Sequence, residues 1–208
     1  MADRLQNILR LLHEEYPDAT CALEYSEAHE LLFATIMSAQ TTDVNVNKVT
    51  ATLFKKYKTV QDFADAELDV FQDEIRSTGF FRNKAKNVIG AANMIVQEYK
   101  GEVPPRMEDL LKMPGVARKT ANVVLGTHFG LAEGVVVDTH VKRLAFRLGL
   151  TKQTDPVKVE SDLMKAIPKS EWIFAAHALV LHGRAICDAK KPQCEACPLL
   201  PLCPQNGV

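Results

Sequence analysis

Lys119 follows Arg118 at the head of an apolar helical run, in the stretch MPGVARKTANVV at residues 113–124. Pro114 disfavours helix in the residue before it. Gly115 permits a tight reversal, and KTANVVLGTHF then reads as a helix. Two helices joined by a short turn make a helix-turn-helix or helix-hairpin-helix unit. The second helix of such a unit presents unpaired backbone N–H groups and the positive end of its dipole. Gly115, Val116, Ala117 and Arg118 could therefore receive a phosphate without reading a base. A lysine at that end is electrostatically misplaced, and Arg118 sets a like charge beside it. Both effects disfavour the ammonium form. A neutral amine there is a nucleophile toward an anomeric carbon or an aldehyde. Asp138 stands at the start of a further helix, DTHVKRLAFRL. Its carboxylate could stabilise a cationic, sugar-like transition state; its plain structural role would be an N-cap.

A second constellation closes the chain. Cys187, Cys194, Cys197 and Cys203 have the spacing C-x6-C-x2-C-x5-C. Four thiolates at short spacing bind soft metals. Paired CxxC knuckles are commoner for zinc, and only one CxxC is present, so spacing alone leaves zinc and iron–sulfur open. Lys190 and Lys191, between the first two cysteines, could reach a phosphate or be a solvated loop. Cys21 stands apart and reads as a small buried hydrophobe.

The elements that must position these groups are helical. Leu5, Ile8, Leu9 and Leu12 form one stripe, and Val46, Val49 and Leu53 a second with Asp43 as its cap. Val88, Ala92, Ile95, Val96 and Tyr99 form a third, ended by Gly101. Val141, Leu144, Ala145 and Leu148 form a fourth, capped by Asp138 and ended by Gly149. Trp172, Ala176, Leu179, Val180 and Gly183 form a fifth. EAHELLFATIMSAQ and MEDLLKM also read as helices. The β-branched VVV at 135–137 has no partner strand, so the fold expected is all-α. GEVPPR, FGLAEG and TDP (154–156) read as linkers, and after Arg184 the helical pattern stops.

The chain has 208 residues, enough for one large domain or two small ones. Hydrophobic residues make up 47% and charged residues 25%, as in an ordinary globular protein. Aromatics are only 7%, so aliphatic side chains should fill most of the core. The net charge of −1 gives no whole-molecule attraction to nucleic acid, so any such binding needs a local patch. Residues 112–147 supply one: Lys112, Arg118, Lys119, Lys142, Arg143 and Arg147 against Glu133 and Asp138, six minus two, a local net of +4. No apolar run is long enough to span a membrane. The charged start lacks a signal-peptide apolar region, and the clustered cysteines do not look like a disulfide framework, so an intracellular protein is expected.

LLKMPGVARKTANVVLGTHFG followed by VVVDTHVKRL resembles the helix-hairpin-helix DNA glycosylases, specifically their endonuclease III branch. SAQTTDVNVNK, TGFFRNKAKNV and the terminal cysteines fit in the same order, and the resemblance runs from about residue 5 to 204. It implies a two-lobed all-α fold, with a six-helix lobe at 21–132 carrying the hairpin. Residues 1–20 with 133–208 would form a lobe carrying a cysteine-ligated cluster. By position, Lys119 resembles the branch's Schiff-base lysine and Asp138 its aspartate. The four cysteines resemble the ligands of a 4Fe–4S cluster. Gln40 resembles the residue that fills the hole left by a flipped base, and Phe80 occupies the wedge position where relatives often carry leucine; Phe81 could serve instead. His140 would face the same pocket as Asp138, and Gly126 and Thr127 would shape it. The family's hairpin reads Gly-x-Gly, and Ala117 replaces the second glycine; if that position needs a positive φ, alanine costs on the order of 1 kcal/mol.

The activity implied is a bifunctional glycosylase/lyase of base excision repair, acting on oxidised pyrimidines or abasic sites in double-stranded DNA. The protein would be a cytoplasmic, nucleoid-associated monomer of bacterial or archaeal origin. A monofunctional glycosylase for another lesion, such as mismatched adenine, and a non-catalytic DNA-binding module remain the alternatives.

Overall fold

Stripes of aliphatic side chains three and four residues apart leave one stable solution, helix packed on helix. The structure, a computed structural model describing residues 2–208, is of that kind, and no strand occurs among the described residues. The helices are α1 (Ala2–Glu15), α2 (Ala28–Met37), α3 (Asp43–Lys56), α4 (Val60–Ala64), α5 (Leu68–Glu74) and α6 (Phe81–Tyr99). They continue as α7 (Met107–Leu110), α8 (Arg118–Thr127), α9 (Thr139–Arg147), α10 (Pro156–Ala166) and α11 (Trp172–Ala185). None is long and apolar enough to cross a membrane. The described residues fall into two compact units. An internal unit runs Cys21–Leu131, and a terminal unit joins the chain up to Thr20 with Ala132–Val208.

The internal unit holds α2 to α8. Its core is richer in rings than the composition suggests. Phe33, Tyr57, Phe63 and Phe71 are buried together, with ring centroids 4.7 Å apart for Phe33–Phe63 and 5.1 Å for Tyr57–Phe63. Such pairs add about 0.5–1.5 kcal/mol each beyond the area they bury. Aliphatics from α2, α6 and α8 complete the core: Leu31, Leu32, Val88, Ile95, Val124 and Leu125 are buried.

The terminal unit brings α1 from one end of the chain onto α9, α10 and α11 from the other. Ile8, Leu9 and Leu12 pack with Val141, Leu144, Leu163, Ala175 and Leu179. Val135 fills the same core without pairing as a strand. Arg4 of α1 reaches the C-terminal loop, donating from Nε to the Leu202 carbonyl at 2.8 Å and from its other end to Leu148 O.

Several sequence expectations change. The cap of α3 is Thr42, whose hydroxyl accepts from Asn45 N; Asp43 is already inside the helix. MEDLLKM is helical only to Leu110. The TDP stretch is a helix start, with Asp155 accepting from Lys158 N and Pro156 at the first helical position, where a missing N–H costs nothing. Helices α4 and α5 carry too short a stripe for periodicity to show.

Candidate active site

The hairpin is built by α7, the turn that follows it, and α8. Gly115 has φ +76, and a Cβ there would lie 2.8 Å from the side chain of Asn87 on α6. Glycine is thus required twice, by backbone and by close approach. Val116 is buried beneath the turn, and its N–H bonds Met113 O at 3.1 Å. Ala117 does not have the left-handed backbone anticipated for it. It is the extended N-cap of α8, with φ −94 and ψ 171. Alanine therefore brings no strain, and it offers no capping oxygen either. The N-cap residue thus gives α8 no side-chain cap, and the first turn carries exposed Arg118 and Lys119. Among the described residues of this unit no carboxylate pairs with the Lys119 amine.

Asp138 is the N-cap of α9: its Oδ1 accepts from Val141 N at 2.8 Å. That role occupies one oxygen and leaves the other. His140, one turn on, is held by Arg143, whose guanidinium donates to His140 Nδ1 at 3.1 Å. An arginine can only donate, so Nδ1 is the accepting nitrogen and Nε2 carries the proton of the neutral ring. His140 also abuts Gly183 of α11, where a Cβ would sit 3.0 Å from the His140 Cβ. Gly126 is buried in α8.

Three of the basic residues counted from 112 to 147 are engaged within the fold, Lys112 while remaining exposed. Lys112 pairs with buried Asp109 at 2.9 Å. Arg143 donates to the carbonyls of Gly183 and Cys187. Arg147 is buried and donates to Asp188 O, Ala189 O and, at 3.3 Å, Cys187 Sγ. Three of the six thus serve the fold. The sequence offered no sign of this, since an arginine on the flank of an apolar stripe reads as solvated.

What two of those arginines hold is the cysteine loop. Cys187, Cys194, Cys197 and Cys203 line one partly open hollow floored by Leu144, Leu148 and Leu199. N–H groups approach two of the sulfurs, Arg147 at Cys187 and Gln205 N at Cys203 (3.4 Å), and Cys197 Sγ lies within hydrogen-bond distance of His182 Nε2 (3.3 Å). Burial raises the thiol pKa of Cys197 and of Cys203, a backbone N–H opposes it, and the other thiols add to the rise. His182 is buried, which pushes its pKa down to about 4; its Nδ1 meets Tyr16 Oη at 3.1 Å. Among the described residues no group of three or more His, Cys, Asp or Glu is drawn tightly enough to hold a single metal ion. Four thiols sharing one hollow are a donor set suited to a sulfur-ligated group. Lys190 and Lys191 are exposed, and their N–H groups donate to Asp188 Oδ1 at 2.9 and 3.2 Å.

Gln40 and Phe80 share a backbone anomaly. Both are left-handed, with φ 55 and φ 49, and both are exposed. Phe80 is 67% exposed, so it is not a core aromatic. Phe81 is half-buried between Arg76 and Arg82, whose guanidiniums lie 5.4 and 5.0 Å from its ring. Non-glycine residues in this region cost of order 1–3 kcal/mol and cluster at functional sites.

Residues 33–169 match the HhH-GPD superfamily base excision DNA repair proteins. The chain belongs to that superfamily. Among its relatives, endonuclease III of Synechocystis is 55% identical over 201 residues, 97% of this chain and 92% of that protein. Endonuclease III of Bacillus subtilis is 44% identical over 201 residues, 96% of this chain and 91% of the relative. In structure, this superfamily member is similar to a trapped endonuclease III–DNA covalent intermediate, the estranged-adenine complex. The TM-score is 0.93 at 43% identity, covering 99% of this chain and 97% of that one.

Proposed function

We propose that this chain is a bifunctional DNA glycosylase/AP lyase of base excision repair that removes oxidised pyrimidines and then nicks the strand. Lys119 carries the reading. Its amine stands in the first turn of α8, after a glycine turn and at a helix start whose N-cap residue, Ala117, offers no side-chain oxygen. A phosphate bound there brings the adjoining sugar to the amine.

In the proposed chemistry the Lys119 nitrogen attacks the anomeric carbon as the neutral amine. The bond from that carbon to the base breaks, and the base leaves with the electron pair. Asp138 supplies negative charge to the cationic sugar as it forms. The attached nitrogen then gives up a proton, the bond from the anomeric carbon to the ring oxygen breaks as that oxygen takes up a proton, and the opened sugar is held to Lys119 as a protonated imine. Removal of a proton from C2′ then expels the 3′ phosphate, a β-elimination, and water returns the lysine. Gln40 and Phe80 fill and hold open the space from which the base is taken, and His140, Lys190 and Lys191 contact the DNA. The substrate is damaged or abasic double-stranded DNA, the protein acts as a monomer, and its place is the nucleoid of a bacterial or archaeal cytoplasm.

Cys187, Cys194, Cys197 and Cys203 would hold a 4Fe–4S cluster. It would brace the loop and set its charge, and no step above moves an electron. The fit rests on four thiols around one hollow, with N–H donors aimed at two of them.

Borohydride reduction on abasic duplex DNA tests the reading. A covalent protein–DNA adduct is expected, and Lys119→Ala should lose it. An adduct that persists in the variant overturns the assignment of the nucleophile. Excision without any adduct in the parent protein points to a monofunctional enzyme.

A further inference from the structure

We infer that Asn45 is a positioning residue that ties the Gln40 turn to the Phe80 loop, so that the two residues enter DNA as one rigid device. The inference rests on the roles proposed above for Gln40 and Phe80.

The observation is a bridge made by one amide group. Asn45 lies in the first turn of α3. Its Nδ2 donates to Thr41 Oγ1 at 3.1 Å and to Ser77 O at 2.8 Å. Thr41 is the residue after Gln40. Ser77 lies in the 3-10 turn Arg76–Thr78 that leads through Gly79 to Phe80. A second amine holds the same loop from the other side: Lys84 Nζ, buried, donates to Thr78 O at 2.7 Å. Consecutive carbonyls, Ser77 and Thr78, are thus gripped by two cations or amides from different helices. The chain beyond them turns left-handed at both Gly79 and Phe80.

The physical need is clear. A left-handed residue without glycine relaxes unless its surroundings over-determine it. Gln40 and Phe80 are both exposed, so neither is fixed by burial. Their backbones must be fixed by what flanks them. On the Phe80 side the side-chain grip comes from Asn45 and Lys84, and Phe80 O also accepts from Asn83 N and Lys84 N; on the Gln40 side Asn45 adds to the backbone bond from Thr41 N to Ser38 O. Asn45 is the side chain that links the two turns to each other, and the separation of the two insertion points is what a helical stack of bases reads.

The test uses the full-length protein. Asn45→Ala removes both bonds without adding bulk. On damaged duplex DNA the excision rate should fall roughly ten- to a hundredfold, the scale on which a small misplacement acts. Opening of the stack, followed by a fluorescent base analogue beside the lesion, should slow in parallel. Strand cleavage of single-stranded abasic DNA, which requires no base pair to be opened, should change by less than about twofold, within normal scatter of a position outside the chemistry. In a Phe80→Ala background, Asn45→Ala should add little, because the two act as one unit. Asn45→Gln, which can still donate to one loop, should recover part of the rate.

Equal losses on duplex and single-stranded substrates would make Asn45 merely structural and overturn the inference. So would an unchanged duplex rate, or full additivity with Phe80→Ala. If Gln40→Ala and Phe80→Ala are themselves without effect on duplex excision, the insertion reading fails instead; if they matter and Asn45→Ala does not, only the tie fails.

Discussion

Replacing Gly115 by alanine should damage the hairpin, whereas replacing Ala117 by glycine should bring no benefit. At Gly115 two costs add. The backbone is left-handed at φ +76, which costs an L-residue about 1–2 kcal/mol. The new methyl would also lie 2.8 Å from Asn87 Cβ and Nδ2. Because Cβ is not the far end of a flexible chain, α6 and the turn must separate, at about 1–3 kcal/mol for overpacking. The sum is roughly 2–5 kcal/mol, a large share of the about 5–15 kcal/mol that holds a typical protein together. For a chain of this size each kcal/mol moves the melting midpoint by about 2–4 °C. At Ala117 the backbone is ordinary, φ −94 and ψ 171. Glycine there relieves no strain and loosens the unfolded chain, at about 0.4–1 kcal/mol, but it is a better N-cap than alanine by a similar amount, so the two offset and stability should stay within about 0.5 kcal/mol of the parent. Urea unfolding followed by circular dichroism, with the midpoint read at constant slope, measures both. A Gly115→Ala protein within about 0.5 kcal/mol of the parent, the range of an indifferent surface change, would refute the reasoning. So would an Ala117→Gly protein more stable than the parent by over about 1 kcal/mol, the scale on which left-handed strain would be released.

The two roles of Asp138 should separate by substitution. Asp138→Asn keeps a capping oxygen for Val141 N and should preserve stability while excision drops sharply; Asp138→Ala should lose the cap as well, at about 0.5–2 kcal/mol. Thermal unfolding alongside base release decides, and full activity in Asp138→Asn would remove it from the chemistry. Burial lowers the pKa of His29 from 6.5, and its Nε2 is buried without a partner. The unfolded chain then binds the extra proton first, so stability is full above about 6.5 and falls as pH drops toward the folded value. His29→Leu should flatten the change in melting temperature between about pH 7.5 and 5, a range that brackets that ordinary pKa; an unaltered slope would contradict the assignment. Protein purified without oxygen should be coloured and carry iron and inorganic sulfide. A colourless protein with stoichiometric zinc would replace the cluster by a zinc site, and Cys194→Ser should lose most of whichever group is present.

The helices whose stripes were legible share one property: each runs for about two and a half turns or more and buries one face. α1, α6, α9 and α11 do so, and periodicity finds them because burial created it. α4 has five residues and α5 seven, too few for a face to repeat. Their place in the fold is set by Phe63 and Phe71 entering the aromatic core, a tertiary reason that no local pattern carries. The start of α10 is legible in principle, because Asp155-Pro156 is a cap followed by a first-position proline; the same residues also make turns, so the dipeptide alone does not separate a helix start from a linker. Residue types and spacing were enough to single out Lys119, Asp138 and the cysteines as candidates, since unusual chemistry must be written in unusual residues. The side chains that hold such groups are ordinary ones in ordinary places. Asn45, Lys84 and Arg147 reveal themselves only by what their donors reach: Ser77 O, Thr78 O and Cys187 Sγ. Each of those acceptors is at least six residues away in the chain, and for Asn45 and Arg147 the separation exceeds thirty. Positioning is a long-range property even where chemistry is a local one, and it is there that a structure adds most to a reading of residues.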